Sequence, residues 1–354
     1  MHIKHIVDVS SLPLSHEAWN KLVSQNETNT LFQTYEWFSS WHKTFAENSE
    51  LWLLIVYERE TPIGFAPLVI SKENNKGKTI QLIGYNNAEN LDFVTQTKKQ
   101  AAVNLIFDYL LDNTHSWDRI ILNNIPRAST TSGLIEEACK RHKLQYLKNK
   151  SISCPYLQIE GHQGEVNKLL NKYSNKRPYN YFRRQGHLEF RLLTEKDMDK
   201  HLPAFFAQHI RRWSDTTSPS LFNNPLNQTF YKNLTAQLLA TNWLHFSVLE
   251  LDDTAISYHY GFDYNDKYYW YKPAFNTDYS NHSPGTLLIR FLIQSALEHK
   301  RRELDFTIGD EAFKRRFTNK ERNNVNLQIF RKNRTFWLHN ALQRTARLKR
   351  RFFD

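Results

Sequence analysis

The chain of 354 residues has 40% hydrophobic and 14% aromatic side chains, which excludes a disordered protein, and it is longer than one ordinary core supports, so two domains are expected. The net charge of +11 points to anionic partners, while Cys139 and Cys154 alone build neither a disulfide framework nor a thiolate metal site, as expected of a reducing compartment. The start, MHIKHIVDVSSLPLSHEAW, lacks the apolar core and cleavage site of a signal peptide, and no apolar run approaches bilayer length. A cytoplasmic protein, soluble or peripheral at the inner membrane face, is the expectation.

In chain order, His2 to Val9 alternates as a strand. Ser15 caps a helix to about Val23, and Thr34 caps another in which Trp37, Phe38, Trp41 and Phe45 recur at helical spacing. Leu51 to Glu58, Phe65 to Ile70 and Thr79 to Tyr85 form an antiparallel meander, turned at Thr61-Pro62-Ile63-Gly64 and Lys76-Gly77-Lys78. A helix near Lys99 to Leu111, a strand from Arg119 to Asn123, a helix near Ser132 to Lys143 and a strand around Tyr156 to Ile159 follow. The second half opens with the basic segment Asn167 to Gly186, then a strand from Leu188 to Leu193 and helices near Lys196 to Arg211 and Pro225 to Leu239. Trp243 to Leu251, Ala255 to Phe262 and Tyr268 to Lys272 make a second meander. A helix opened by Ser283-Pro284-Gly285, a strand closing on Asp305, a short helix carrying Lys314, Arg315 and Arg316, and a strand near Val325 to Phe330 complete the series. Both halves repeat one order: strand, two helices, three strands, helix, strand, helix, strand. This predicts an α/β fold (α+β mixed sheet) built by internal duplication, with domains over 1–160 and 161–330 and a basic amphipathic tail over 331–354.

The second half holds the denser polar set. Ser283 can cap the helix and Pro284 suits its first turn; the unpaired N–H groups there attract phosphate or carboxylate, and Gly285 admits a close ligand. An ordinary helix cap is the plain alternative. Asp305 lies in an apolar strand, where a carboxylate is costly unless it pairs with an arginine, caps the Gly309 turn or serves as a general base. Lys314 can set a positive charge against a phosphate or an oxyanion, or lie on a solvated face with Asp310 four residues before it, as Glu311 stands to Arg315. His259, in SYHYGF, is a proton carrier lining a cleft or a structural strand histidine, and Trp270 and Tyr271 are core or contact residues. No spaced metal-ligand set, G-x-S-x-G elbow or G-x-x-x-x-G-K-[ST] loop is present, so metal hydrolysis and P-loop phosphoryl transfer are not expected.

FQTYEW at Phe32 to Trp37, SPGTLL at Ser283 to Leu288 and LDFTIGDEAFKRRF at Leu304 to Phe317 together resemble the bacterial CelD-like proteins associated with cellulose biosynthesis, members of the GNAT acyltransferase superfamily. The likeness extends through FFAQHIRRW at Phe205 to Trp213, and AFKRRF is similar to the Phe-Lys-x-x-Phe segment of Fem-type aminoacyltransferases, which are tandem GNAT folds. The resemblance implies direct acyl transfer to an amine or hydroxyl, with Ser283, Gly285 and Thr286 at the donor's pyrophosphate and Lys314 at the substrate or transition state. Asp305, His259 or a water they hold would take the nucleophile's proton, and Trp213, Tyr271 and Glu311 are the expected substrate contacts. The usual acyl-CoA loop reads Arg/Gln-x-x-Gly-x-Gly/Ala, whereas Asn281-His282-Ser283-Pro284-Gly285 has a single glycine.

In the tail, Arg331, Lys332, Arg334, Arg344, Arg347, Lys349, Arg350 and Arg351 face only Asp354, so +7 of the +11 lies there, beside an apolar stripe of Trp337, Leu338, Ala341, Leu342 and Leu348. Such a tail lies on an anionic membrane to reach a lipid-linked glycan, grips RNA, or docks with its basic side in water. A second basic stretch interleaves Lys172, Lys176, Arg177, Arg183 and Arg184 with Tyr173, Tyr179 and Tyr181, and an aminoacyl-tRNA donor would account for both. The favoured reading is an N-acyltransferase using acyl-CoA (acetyl-CoA), without a metal, on a small-molecule or lipid-linked glycan acceptor that is a cell-envelope or polysaccharide precursor. A Fem-like aminoacyltransferase using charged tRNA and a non-catalytic basic adaptor are the alternatives.

Overall fold

The computed structural model describes residues 1–71, 77–149 and 152–331, so the expected tail helix falls, apart from Arg331, outside the described residues. The chain forms two compact units, Met1–Ile152 with Asn323–Asp354, and Ser153–Arg322.

The first unit begins with β1 (His2–Ile6), α1 (His16–Ser24) and α2 (Tyr35–Phe45). Ser15 and Thr34 cap the two helices through their hydroxyls, accepting from the Ala18 and Trp37 N–H groups. The meander β2 (Ser49–Glu58), β3 (Thr61–Ser71) and β4 (Thr79–Leu82) follows, with the short β5 (Val94–Thr95) against β3. Next come α3 (Lys99–Asp112), β6 (Arg119–Pro126), α4 (Thr131–Arg141) and β7 (Gln145–Lys148). Alternation along the strands divides the core: Trp19 of α1 packs on Phe65 with ring centres 4.0 Å apart, while Trp52 meets Tyr109 of α3.

The second unit takes β8 (Ile152–Gln158), α5 (Gln163–Asn171), α6 (Tyr173–Gln185), β9 (Leu188–Leu192), α7 (Met198–Trp213) and α8 (Pro225–Ala240). The meander β10 (Leu244–Leu251), β11 (Thr254–Tyr264) and β12 (Lys267–Phe275) leads to α9 (Pro284–Glu298) and β13 (Glu303–Asp305), and β14 (Glu321–Phe330) ends the series. Strand order in this sheet is β8-β13-β12-β11-β10-β9, with β12 and β13 parallel. Leu287, Leu288, Leu292, Ile293 and Ala296 of α9 are buried with Leu169 and Leu170 of α5 and Phe182 of α6 on one face. On the other face Phe205 of α7 stacks on Tyr260, and Tyr231 of α8 meets the same ring edge-on. Each large apolar side chain so buried contributes roughly 1.5–3 kcal/mol.

The closing strands depart from the expected domains. β8 pairs with β13 in the second unit, and Asn324–Phe330 of β14 pairs with β6 in the first. Each half's last strand therefore completes the sheet built by the other half, and the boundaries fall at 152/153 and 322/323 instead of 160/161. β7, also against β14, and the two helices of the basic segment are further elements that periodicity did not single out. The short helix expected at Lys314 is a single 3-10 turn, Lys314–Arg316. No helix among the described residues is long and apolar enough to cross a membrane.

Candidate active site

The parallel pairing of β12 with β13 lasts only from Lys267↔Glu303 to Tyr269↔Asp305. β12 continues to Phe275 while β13 stops, so the two strands part beyond this point. Thr307 takes a left-handed conformation (φ 57°) there, its hydroxyl donating to the Trp270 carbonyl at 3.0 Å and its N–H donating to Asp305 Oδ1 at 2.8 Å. Beside the fork a pocket of about 220 Å³ opens onto the start of α9. Pro284, Gly285 and Thr286 form one wall, Trp270 and Phe275 another, and Arg212, Phe313 and Arg316 close it.

Ser283 is left-handed (φ 56°) and its hydroxyl makes no capping bond, contrary to expectation; its carbonyl instead accepts from the Thr286 and Leu287 N–H groups. With proline at the first helical position, the Gly285 N–H is left without a partner among the described residues. A Cβ on Gly285 would meet only Phe275 Cδ1, at 3.6 Å, so this wall is open.

Arg212 is the residue that sequence reading passed over. It closes α7, donates to the Pro273 carbonyl at 2.8 Å and lies over the Phe275 ring at 4.4 Å. No carboxylate comes within ion-pair distance of it among the described residues. Burial pushes its guanidinium down to about 10, partly offset by the nearby charge of Glu311. Arg316, exposed at the mouth, makes no ion pair or side-chain hydrogen bond among the described residues. Two cations without an ion-pair partner among the described residues and a helix N-terminus thus converge on one small pocket, an arrangement that attracts a phosphate-bearing ligand. The only sequence signal was the pair Arg211-Arg212 in FFAQHIRRW, which gives no sign that its second arginine is half-buried without a paired carboxylate.

The other expected residues divide. Lys314 is buried, and its ammonium donates to the Ile308 carbonyl at 2.8 Å and the Gly309 carbonyl at 3.2 Å while pairing with Glu311 at 2.8 Å. It therefore ties together the loop carrying Phe313 and Arg316. Lys314→Met is expected to cost about 2–3 kcal/mol, read as a lower Tm and faster proteolysis between Ile308 and Phe313, with Lys314→Arg failing to restore it because a planar fork does not serve these three acceptors.

Asp305 is buried, which raises its carboxyl above the ordinary range against the pull of Lys267. Glu303 next to it, also pushed up by burial, is drawn below the ordinary range by Arg322 at 2.5 Å and Lys267 at 2.9 Å. Asp305 does not line the pocket; it fixes the fork through Thr307.

His259 is wholly buried instead of lining a cleft, its Nε2 against the Tyr269 carbonyl at 3.0 Å and its ring stacked on Trp270 at 5.0 Å. Burial and His245 hold it neutral, well below the usual histidine range. Tyr271 faces α8, where its hydroxyl accepts from Tyr231 at 2.9 Å, and Trp213 stacks on His209 outside the pocket lining. No cluster of three or more metal-ligating side chains occurs among the described residues.

Residues 171–315 match the family model of an acetyltransferase (GNAT) domain. No curated protein matches the chain. Among solved structures, FemX aligns over 96% of this chain and 99% of its own, with a TM-score of 0.64 and 12% identity. The C-terminal domain of a putative lysylphosphatidylglycerol synthetase from Agrobacterium fabrum aligns over 91% of this chain and 94% of its own, with a TM-score of 0.55 and 11% identity. A tandem GNAT protein from the clavulanic acid biosynthesis pathway aligns over 92% and 98%, with a TM-score of 0.52 and 8% identity. The chain thus has the tandem GNAT fold, and its second half carries an acyltransferase domain of the GNAT type.

Proposed function

We propose that the protein moves an acyl group from acyl-CoA to an amine or hydroxyl by direct transfer, with the donor's pyrophosphate held at the start of α9. The observation carrying this reading is the pocket itself: Gly285 leaves it open, and Arg212 and Arg316 supply charge with which no carboxylate of the described residues forms an ion pair. Ser283 shapes the turn through its carbonyl, and Thr286 lies on the wall. The acyl group would lie toward the fork between Trp270 and Thr307, which Asp305 holds as a positioning residue. With His259 buried and neutral, a water would carry away the nucleophile's proton, and Glu311, exposed and paired with Lys314, would contact the substrate. No covalent enzyme intermediate is required, and positioning supplies much of the rate.

The acceptor would be a cell-envelope or polysaccharide precursor, small or lipid-linked, as the CelD-like resemblance implies, met in the cytoplasm at the membrane face. A second donor is favoured by α6 and the residue that caps it, where Lys172, Lys176, Arg177 and Arg184 are exposed and make no ion pair among the described residues. Together with the fold likeness to FemX, this supports a reading in which aminoacyl-tRNA is the donor. Release of free thiol from acetyl-CoA in the presence of amino sugars and other primary amines tests the first reading. Acceptor-dependent thiol release supports it, and transfer from charged tRNA without any thiol release would replace it with the second.

A further inference from the structure

β9 (Leu188–Leu192) is the last strand of the second unit's sheet: it bonds to β10 on one side and to no other strand among the described residues. The alternation of the ladder decides which backbone groups are left over. Leu193 donates to the Phe246 carbonyl at 2.8 Å and the His187 carbonyl accepts from the Asp252 N–H at 2.9 Å, so the odd-numbered residues bond to β10. Leu188, Phe190 and Leu192 therefore turn their N–H and C=O groups to the open edge. Solitary edges are usually blunted by lysine, proline or a bulge. Leu188–Leu192 has none of these, and its two charges are of opposite sign.

The side chains suit the same edge. Leu188, Phe190 and Leu192 share the face under α9, where Phe190 stacks on Phe291 with ring centres 5.3 Å apart and Leu192 is 52% exposed. Glu189 and Arg191 share the other face. Arg191 donates to Glu250 at 3.0 Å, whereas Glu189 is exposed, stands directly opposite Glu250 across the ladder and pairs with no cation among the described residues. Read backwards, Leu-Glu-Phe-Arg-Leu differs only in the sign of its charges. Antiparallel pairing of two copies about Phe190 thus sets Leu188 against Leu192, Phe190 against itself and Glu189 against Arg191, apolar face beside apolar face. Each outward-facing pair then exchanges two backbone hydrogen bonds. Moving the register by two residues would set Glu189 or Arg191 against its own twin.

We infer that a second copy of this chain docks on β9, joining the two sheets through a twofold axis at Phe190. Five residues a side place the contact at the small end of specific interfaces, so the dimer is a weak, reversible one. Sedimentation of the full chain is expected to show a mass rising from one copy towards two between about 1 and 100 μM. Glu189→Arg, an exposed substitution that removes the like charge opposite Glu250, is expected to raise the dissociation constant about tenfold without lowering Tm, because it meets the copy's Arg191 at both symmetric positions. The register is read from added cysteines oxidised with diamide, Cys139 and Cys154 being buried. Phe190→Cys is expected to link two chains, since Cα atoms of a hydrogen-bonded antiparallel pair lie about 5.5 Å apart, within disulfide reach. Leu192→Cys is not, its twin lying about 14 Å away along the strand. An unchanged dissociation constant in Glu189→Arg, or linkage of Leu192→Cys but not of Phe190→Cys, would overturn the inference. A single-copy mass up to about 100 μM would overturn it too, and would leave the edge to a strand of a different protein.

Discussion

Gly285→Trp is expected to weaken acetyl-CoA binding by more than about a hundredfold, and turnover with it, at an unchanged Tm. Such a loss corresponds to about 2.7 kcal/mol or more of binding energy. Gly285 sits in the first turn of α9 with no positive φ, so a side chain brings no backbone strain. A Cβ there has Phe275 Cδ1 as its only neighbour within 4 Å, at 3.6 Å, so an indole grows into the pocket of about 220 Å³ instead of the core. Gly285→Ala is the control, gaining helix propensity of about 1 kcal/mol without filling the space. Loss of binding in Gly285→Trp together with a wild-type melting curve localises the donor; loss of both would mean that the turn tolerates no side chain.

The second large effect concerns acid. His209, His245 and His259 are buried and neutral, the first two pushed down to about 3 and about 4 by burial and the third well below the usual range. A folded-state pKa depressed below the unfolded value stabilises the protein above the unfolded pKa, and that stability is lost as pH falls. Between pH 6.5 and 5 His209 and His245 each withdraw a little under about 2 kcal/mol, about 3 kcal/mol together, and His259 acts in the same direction. Whole domains hold only about 5–15 kcal/mol. The second unit is therefore expected to lose Tm steadily as pH falls from 6.5 to 5, and His245→Phe lessens that loss by removing one titrating group. A Tm independent of pH between 7.5 and 5, followed by tryptophan fluorescence, would contradict this placement of the three rings.

Much of the fold was legible because it rests on local patterns. The Ser15 and Thr34 caps, the two meanders and the apolar stripe of α9 are each written within a few residues, and their order repeats along the chain. The exchange of β8 and β14 was not legible, since an alternating apolar strand pairs equally well with either sheet and its choice depends on contacts far away in sequence. The site was half legible for the same reason. The helix start at Ser283-Pro284-Gly285 is local, and it lines the pocket. Arg212 becomes part of it only because α7 ends beside Pro273 and Phe275, and Lys314 looked like a ligand group because nothing in its own stretch reveals that the Ile308 and Gly309 carbonyls turn back onto it. Tyr271 and His259 show the limit of alternation, which assigns a face but not whether that face is core or cleft.

Calorimetric titration of the full chain with acetyl-CoA and, in parallel, with bulk aminoacyl-tRNA, each at two salt concentrations, tests the central claim most directly. Micromolar acetyl-CoA binding that Arg212→Met weakens about ten- to a hundredfold, the loss expected for a charge-assisted contact in a desolvated pocket, is the predicted result. No heat with acetyl-CoA, alongside tRNA binding that falls steeply with salt, would contradict it and make the cations of the second half a nucleic-acid surface.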